Sequence, residues 1–279
     1  MANAESSGSA PVMRSVALAR RIRRHAVGMT HRSGASHLGS VLSIADVLAV
    51  LYGAVLRVDP KRPQWRERDR FVLSKGHAAA GLYAVLAERG FLPVEELERY
   101  YLNGSRLTGH VSHAVPGVEL STGSLGHGFP VATGMAYGAL LDHRQHRVFA
   151  LLSDGECNEG AVWEAAMFAA HHRLHNLVAI VDYNKIMSLG PISEILGLEP
   201  LADKWSSFGW SVREVDGHDH AMLLRSLSEV PFEQDKPSCV IAHTVKGKGV
   251  SFMEHSVLWH FRAPDAEECG RALQELADA

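Results

Sequence analysis

RVFALLSDGECNEGAVWEAAMFAAHHRLHNLVAIVDYNK, residues 147–185, holds the architecture of this chain in miniature. RVFALLS (147–153) is apolar without alternation, as expected of a strand buried on both faces of a parallel sheet. EGAVWEAAMFAAHHR (159–173) has helical character, and LVAIVDY (177–183) is a second two-sided strand. Downstream, WSVREVDG (210–217) and CVIAHTV (239–245) repeat the strand signal, with a helix over 220–229 between them. Upstream, RDRFVLSKGH gives a short strand and a turn over Ser74–His77, and then an Ala/Leu helix closed by Gly90. Alternation of this kind predicts an α/β fold: a doubly wound parallel sheet with helices on both faces.

The remaining segments are helices and loops. Residues 14–34 read as a surface helix and SGASHLGS (33–40) as a loop centred on a histidine. SIADVLAVLYGAVL (43–56) reads as an apolar helix with Ser43 as its cap, and 94–102 as another short helix. The stretch 104–130, rich in Gly, Ser and His, is a long loop, a feature that is usually functional, and 131–143 is helical. Residues 1–13 form a flexible tail, and 14–279 a single domain.

The chain has 279 residues, of which 46% are hydrophobic and 21% charged, the balance of an ordinary globular protein. A net charge of −3 gives no electrostatic case for nucleic acid or an anionic membrane. No uninterrupted apolar run suggests a membrane span, and the N-terminus lacks the pattern of a signal peptide. Cys157, Cys239 and Cys269 are scattered, with neither a disulfide nor a zinc spacing, which suits a cytoplasmic protein. The 17 histidines are numerous, and several fall in glycine-containing turns.

Both strands of the opening stretch end in oxygen-bearing side chains, Asp154 and Asn184. Ligands bind at the carboxyl ends of parallel strands, and two hard oxygen donors there suit Mg2+, which shares its shell with phosphate oxygens and water. Gly155 permits a tight turn, and a helix starting near Asn158 would offer its N-terminus to an anion. The alternative is a capping Asp and a turn Asn, both common.

Asp-Gly followed about thirty residues later by Asn is similar to the thiamine diphosphate signature. SHLGSVLSIADVLAVLY, LSKGHAAAGLYAVLAERG, SLGHGFPVATGMAYGAL, HTVKGKGVSFME and WHFRAP extend the likeness, in order, to transketolase. Over roughly residues 14–265 the chain resembles the amino-terminal, diphosphate-binding half of that family made as a separate subunit. The resemblance implies the thiamine diphosphate-binding fold, the PP domain. It implies thiamine diphosphate and Mg2+ as cofactors, the metal held by Asp154, Asn184 and the Ile186 carbonyl. Gly155 and the Gly123-Ser124-Leu125-Gly126 loop would lie on the cofactor, and His77 would contact its diphosphate. His37, His110 and His260 would surround the thiazolium and the substrate hydroxyls. Glu159 and Glu164 would lie at a subunit interface that links two active sites. Lys246 and Lys248 stay open between a phosphate contact and a solvated turn, and Cys157 receives no role.

Four departures mark a specialised member: Ser153 in place of Gly, Tyr183 before the metal-binding Asn, MSLGP without an aspartate, and TGHVSH without a proline. A serine at 153 is tolerable only with negative φ. About thirty residues follow Gly249, too few for a second α/β domain. The resemblance therefore implies a separate partner of about 300 residues, carrying the pyrimidine-binding domain and a C-terminal domain, in a heterotetramer acting on sugars or sugar phosphates. The alternatives are one component of another two-component thiamine diphosphate enzyme, such as a 2-oxoacid dehydrogenase alpha chain, or a cofactor-free scaffold.

Overall fold

A computed structural model describes residues 5–278. Among these, five strands form one sheet: β1 (Arg70–Leu73), β2 (Val148–Ser153), β3 (Leu177–Tyr183), β4 (Ser211–Asp216) and β5 (Ser238–His243). All pairings are parallel, in the order β1-β2-β3-β5-β4. The period-2 alternation of each strand feeds two cores. Phe149 and Leu151 of β2 enter one, and Val148, Ala150 and Leu152 the other. The doubly wound sheet expected from the sequence is present.

The first core is covered by α1 (Glu5–Ser33), α2 (Leu38–Val50) and α3 (Ala79–Glu88). On the second side lie α4 (Gly128–Leu141), α5 (Gly160–His171), the short α6 (Ile192–Ile195) and α7 (Leu201–Ser207). The helices α8 (His220–Ser228) and α9 (Ala266–Asp278) complete the first side.

Three expectations need correction. The helix α1 begins at Glu5, so residues 5–13 are helical rather than a flexible tail; residues 1–4 lie outside the described residues. Pro11 falls inside that helix, and from Ser15 onward it packs inward: the Ser15 hydroxyl sits 2.8 Å from His220 Nδ1. Ser43 is not a helix cap. The helix starts five residues earlier, His37 occupies the N-cap at φ 72°, and Ser43 Oγ lies inside, donating to Asp182 Oδ2 at 2.8 Å. Gly39 looked like a loop glycine, but a Cβ there would meet the Lys246 stem at 3.2 Å, so glycine serves close packing. Finally, Leu38–Val55 has a mean hydropathy of 1.9 over 18 residues, long and apolar enough to cross a membrane by length alone. Ser40, Ser43, Asp46 and Gly53 disguise that in the sequence. Because 89% of the segment is buried inside the protein, it is the core helix of the fold.

The loop anticipated over 104–130 is real and runs to His127, just before α4. Tyr83 anchors it, its hydroxyl donating to the His110 carbonyl at 2.9 Å and accepting from Ser112 N–H at 3.0 Å. Gly76 is essential to the same junction: a Cβ there would lie 2.4 Å from the Thr122 carbonyl oxygen.

Candidate active site

Strand order places the ends of β2 and β3 side by side, with Ser153 in register with Asp182. Asp154 and Asn184 therefore meet at the sheet's carboxyl edge, lining one pocket with Gly155, Ile186, His37 and His260. His77, His110, Gly123 and Leu125 line it too. Ser124 is exposed between the last two and does not line the pocket.

Asp154 performs both of the roles that the sequence left open. Its Oδ1 caps the single turn Gly155–Asn158, accepting from Gly155 N–H at 2.8 Å, and its Oδ2 accepts from Lys185 N–H at 2.6 Å. Yet those two neutral donors do not balance it. Burial, then the charge of Asp182, pushes its carboxyl up to about 6. Asn184 accepts from Ile186 N–H through Oδ1 at 3.1 Å and donates through Nδ2 to Asp182 at 2.9 Å, which fixes the orientation of its amide. A buried, under-compensated carboxylate beside an amide oxygen and a loop carbonyl fits a small hard cation. Among the described residues no group of three or more His, Cys, Asp or Glu side chains is placed to hold a metal ion by itself.

Two residues beneath the pocket escaped the sequence reading. Asp182 is fully buried and receives Lys75 Nζ at 2.6 Å, with the hydroxyls of Ser43 and Thr244. Burial alone would raise the Asp182 carboxyl, but Lys75 and these donors outweigh it and hold it low. Glu156 lies fully buried behind the metal turn. It accepts from Ser74 Oγ at 2.5 Å and from Gly126 N–H at 2.9 Å, and so ties the glycine loop to the Asp154 turn. Neither could be found by spacing, because each acts through partners distant in sequence.

Lys246 corrects the solvated-turn option. It is 1% exposed, and its ammonium donates to the Ile186 carbonyl at 2.9 Å and to His260 Nδ1 at 3.2 Å. Burial, then Lys75, lowers it to about 8. Lys248 is only partly buried and lies 3.8 Å from Glu254.

The four motif histidines converge from four separate segments. The His37 ring lies 4.8 Å from His260, 5.2 Å from His77 and 5.6 Å from His110. Burial is the main reason that His37 falls to about 4 and His260 to about 3; neighbouring His110, Lys246 and Lys75 add to it. His77 is also held well below its ordinary value, by burial and then by Lys75. These three are neutral imidazoles at pH 7, able both to donate and to accept hydrogen bonds.

Glu159 and Glu164 are not in the pocket. Both are exposed on the face of α5 and the turn before it, and Glu159 packs its Cβ region against Gly126. Met167 and Phe168 lie on the same helix, 53% and 41% exposed. Ser153 keeps negative φ, and its hydroxyl accepts from Glu156 N–H at 3.1 Å, so the departure from glycine is built into the turn.

A family profile described as "Transketolase, thiamine diphosphate binding domain" matches residues 15–276. The chain is 40% identical over 256 residues to one of the subunits of an apulose-4-phosphate transketolase from Phocaeicola vulgatus, covering 92% of this chain and 91% of that protein. It is 42% identical to a 6-deoxy-6-sulfo-D-fructose transketolase subunit from Clostridium sp., covering 91% of this chain and 93% of that one. Among solved structures, transketolase from Leishmania mexicana superposes with a TM-score of 0.88 at 30% identity; 94% of this chain covers 41% of that one.

Proposed function

Because this chain belongs to the transketolase family, matching its thiamine diphosphate-binding domain, we propose that it is the cofactor-binding subunit of a two-subunit transketolase. Its partner supplies the pyrimidine-binding half, and the pair moves a two-carbon ketol unit from a ketose donor to an aldose acceptor. The observation that carries this reading is the gathering of His37, His77, His110 and His260 above the under-compensated Asp154.

When bound, thiamine diphosphate supplies the carbon–carbon bond chemistry and Mg2+ the clamp on its diphosphate. The chain's own residues do the rest. Asp154, Asn184 Oδ1 and the Ile186 carbonyl, which here accepts from Lys246, would hold the metal, and the Lys75–Asp182 pair fixes the Asn184 amide. Gly123, Leu125 and Gly155 give the cofactor backbone-close walls. His37 and His260, kept neutral, would donate hydrogen bonds to substrate hydroxyls and to the developing alkoxide. His110, on the exposed rim, meets the substrate from the entry side.

A partner is supported by the proportions of the relatives. The chain spans about nine-tenths of proteins named as subunits but 41% of a one-chain transketolase. Exposed apolar residues also stand on the loops around the pocket, Leu189 (75%), Leu258 (52%) and Phe261 (59%) among them. Glu159 and Glu164, with Met167 and Phe168, form a face suited to contact with a further protomer, and we propose a heterotetramer. The donor and acceptor are sugars or sugar phosphates, as in the names of the relatives. Free buried Cys157, Cys239 and Cys269 suit a reducing, cytoplasmic setting.

The test is to recover the chain from its native extract and identify any partner by mass. The complex is then assayed with Mg2+, thiamine diphosphate, a ketose phosphate and an aldose phosphate. Two-carbon transfer by a complex with a partner of about 300 residues supports the proposal. Full activity from this chain alone contradicts the two-subunit part, and a complex that never binds cofactor contradicts the whole.

A further inference from the structure

Tyr183, immediately before Asn184, is the least expected residue of the metal-binding segment, and its surroundings give it work. It ends β3 on the side of the second core and is 3% exposed. Its hydroxyl donates to Glu199 Oε1 at 2.5 Å. The other oxygen of Glu199 accepts from Leu201 N–H at 2.9 Å, at the first turn of α7. Tyr183 and Glu199 thus bracket residues 184–198 and tie both ends of that segment to the sheet and to α7.

Inside the bracket sit the two loop groups assigned to the metal, Asn184 and Ile186. Lys185, between them, is held at φ 68°, an αL conformation uncommon outside glycine and costly without outside restraint. The restraints are few. Its N–H donates to Asp154, its carbonyl accepts from Ile192 N–H at 2.9 Å, and its ammonium lies 5.4 Å over the Tyr183 ring. The Met187–Gly190 turn is closed by one backbone bond of 2.9 Å. The outer part has little packing: Leu189, Ile195 and Leu196 are 75%, 41% and 57% exposed, and Ile192 and Leu198 are its buried anchors. One aromatic side chain therefore supports the strained Lys185 with its ring and closes the far end of the loop with its hydroxyl.

We propose that Tyr183 and Glu199 form a clasp that holds the 184–200 loop in its metal-binding shape, making Tyr183 a positioning residue for Mg2+. This rests on the assignment of Asp154, Asn184 and Ile186 to the metal. Residues that orient metal ligands typically change affinity by about 10- to 100-fold when altered. A phenol with a single acceptor, acting through the backbone, belongs at the lower end of that range.

The experiment compares wild type, Tyr183→Phe, Glu199→Ala, the double variant and Asp154→Ala, each in its native assembly. The first readout is hydrogen exchange of peptides from 184–200 without metal or cofactor. The second is calorimetric Mg2+ titration at fixed thiamine diphosphate. Tyr183→Phe keeps the ring and the core packing and removes only the hydroxyl. It is expected to speed exchange in 184–200, leave β2 and β5 unchanged, and weaken Mg2+ about tenfold. Glu199→Ala, which also frees Leu201 N–H, should do at least as much, and the double variant should be no worse than Glu199→Ala alone, because the Tyr183 hydroxyl then has no partner left to lose. Unchanged exchange and Mg2+ affinity in Tyr183→Phe, or additive losses in the double variant, overturn the clasp. Wild-type Mg2+ binding in Asp154→Ala overturns instead the metal assignment beneath it.

Discussion

Asp69 and Asp154 are both almost completely buried, at opposite ends of the same sheet, and their surroundings treat them in opposite ways. Asp69, at the amino end just before β1, accepts from the guanidinium groups of Arg57 and Arg147, each at 2.8 Å, and from both of their backbone N–H groups. Burial would raise its carboxyl, but those bonds outweigh it and hold it low. Asp154, at the carboxyl end just after β2, has two backbone donors and an anionic neighbour, and rises to about 6. The first is a finished structural ion network; the second is a carboxylate with no cation in direct contact among the described residues, Lys75 and Lys246 acting on it only from farther off. The same residue type is a fastener where its charge is matched and a binding site where it is not.

Substitution should separate the two. Asp154→Ala is expected to reduce Mg2+-dependent cofactor binding by more than about 100-fold while thermal stability holds, read by calorimetry and scanning. Asp69→Ala should do the reverse, costing about 1–3 kcal/mol in denaturant unfolding, because the backbone N–H groups of Arg57 and Arg147 lose their acceptor while the guanidinium groups keep partial access to solvent. The protein that remains folded should bind cofactor normally. Equal effects on binding from both would erase the distinction.

The histidines extend the contrast. His37→Ala or His260→Ala should cut turnover by about 10²- to 10³-fold with cofactor affinity changed only a few-fold. His146, buried at the amino end with no hydrogen-bond partner for Nδ1 among the described residues, should tolerate Gln with turnover within about twofold. Steady-state kinetics of the assembled enzyme decides this.

The pH dependence of stability should differ as well. His37 and His260 titrate near 4 and 3 when folded, against 6.5 ordinarily. Between those values the unfolded chain takes up protons that the folded one refuses, so stability falls as pH drops from about 6.5. Asp154 acts in the opposite sense below about 6, since there the folded state holds the proton. His77 is lowered too and acts in the same sense, so the three imidazoles outweigh Asp154 and the raised Glu156; melting temperature should fall from about pH 7 to about pH 5, and a His37→Asn, His260→Asn double variant should lessen that slope.

The smallest effect is at Ser153. Its hydroxyl accepts from Glu156 N–H, so Ser153→Gly should cost about 1 kcal/mol in denaturant unfolding and leave cofactor binding nearly intact.

What was legible in the sequence followed the same division. The two-sided strands, the Asp154–Asn184 spacing and the histidine motifs are local patterns, and the structure brings them to one pocket. The supports were not legible. Lys75–Asp182 joins residues more than a hundred positions apart, Ser43 inside α2 looked like a cap, and Lys246 in KGKG was open to a solvated turn. Burial of a polar side chain is decided by what packs over it, and single-chain spacing does not carry that. Glu159 and Glu164 stand exposed, so any part they play depends on a neighbouring protomer.

The most direct test of the claim about Asp154 is thermal unfolding of the wild type and Asp154→Asn in the native assembly, with and without Mg2+ and thiamine diphosphate. The neutral variant relieves the repulsion from Asp182 but offers one acceptor oxygen to the two N–H donors of Gly155 and Lys185, so without ligands it should melt within a few degrees of wild type. With the Mg2+–thiamine diphosphate complex as a single ligand at about 100 times its Kd, the wild type should gain about 2.7 kcal/mol and the variant almost nothing. A variant that melts well below the unliganded wild type, or gains as much from the ligands, would show that Asp154 is a fastener like Asp69.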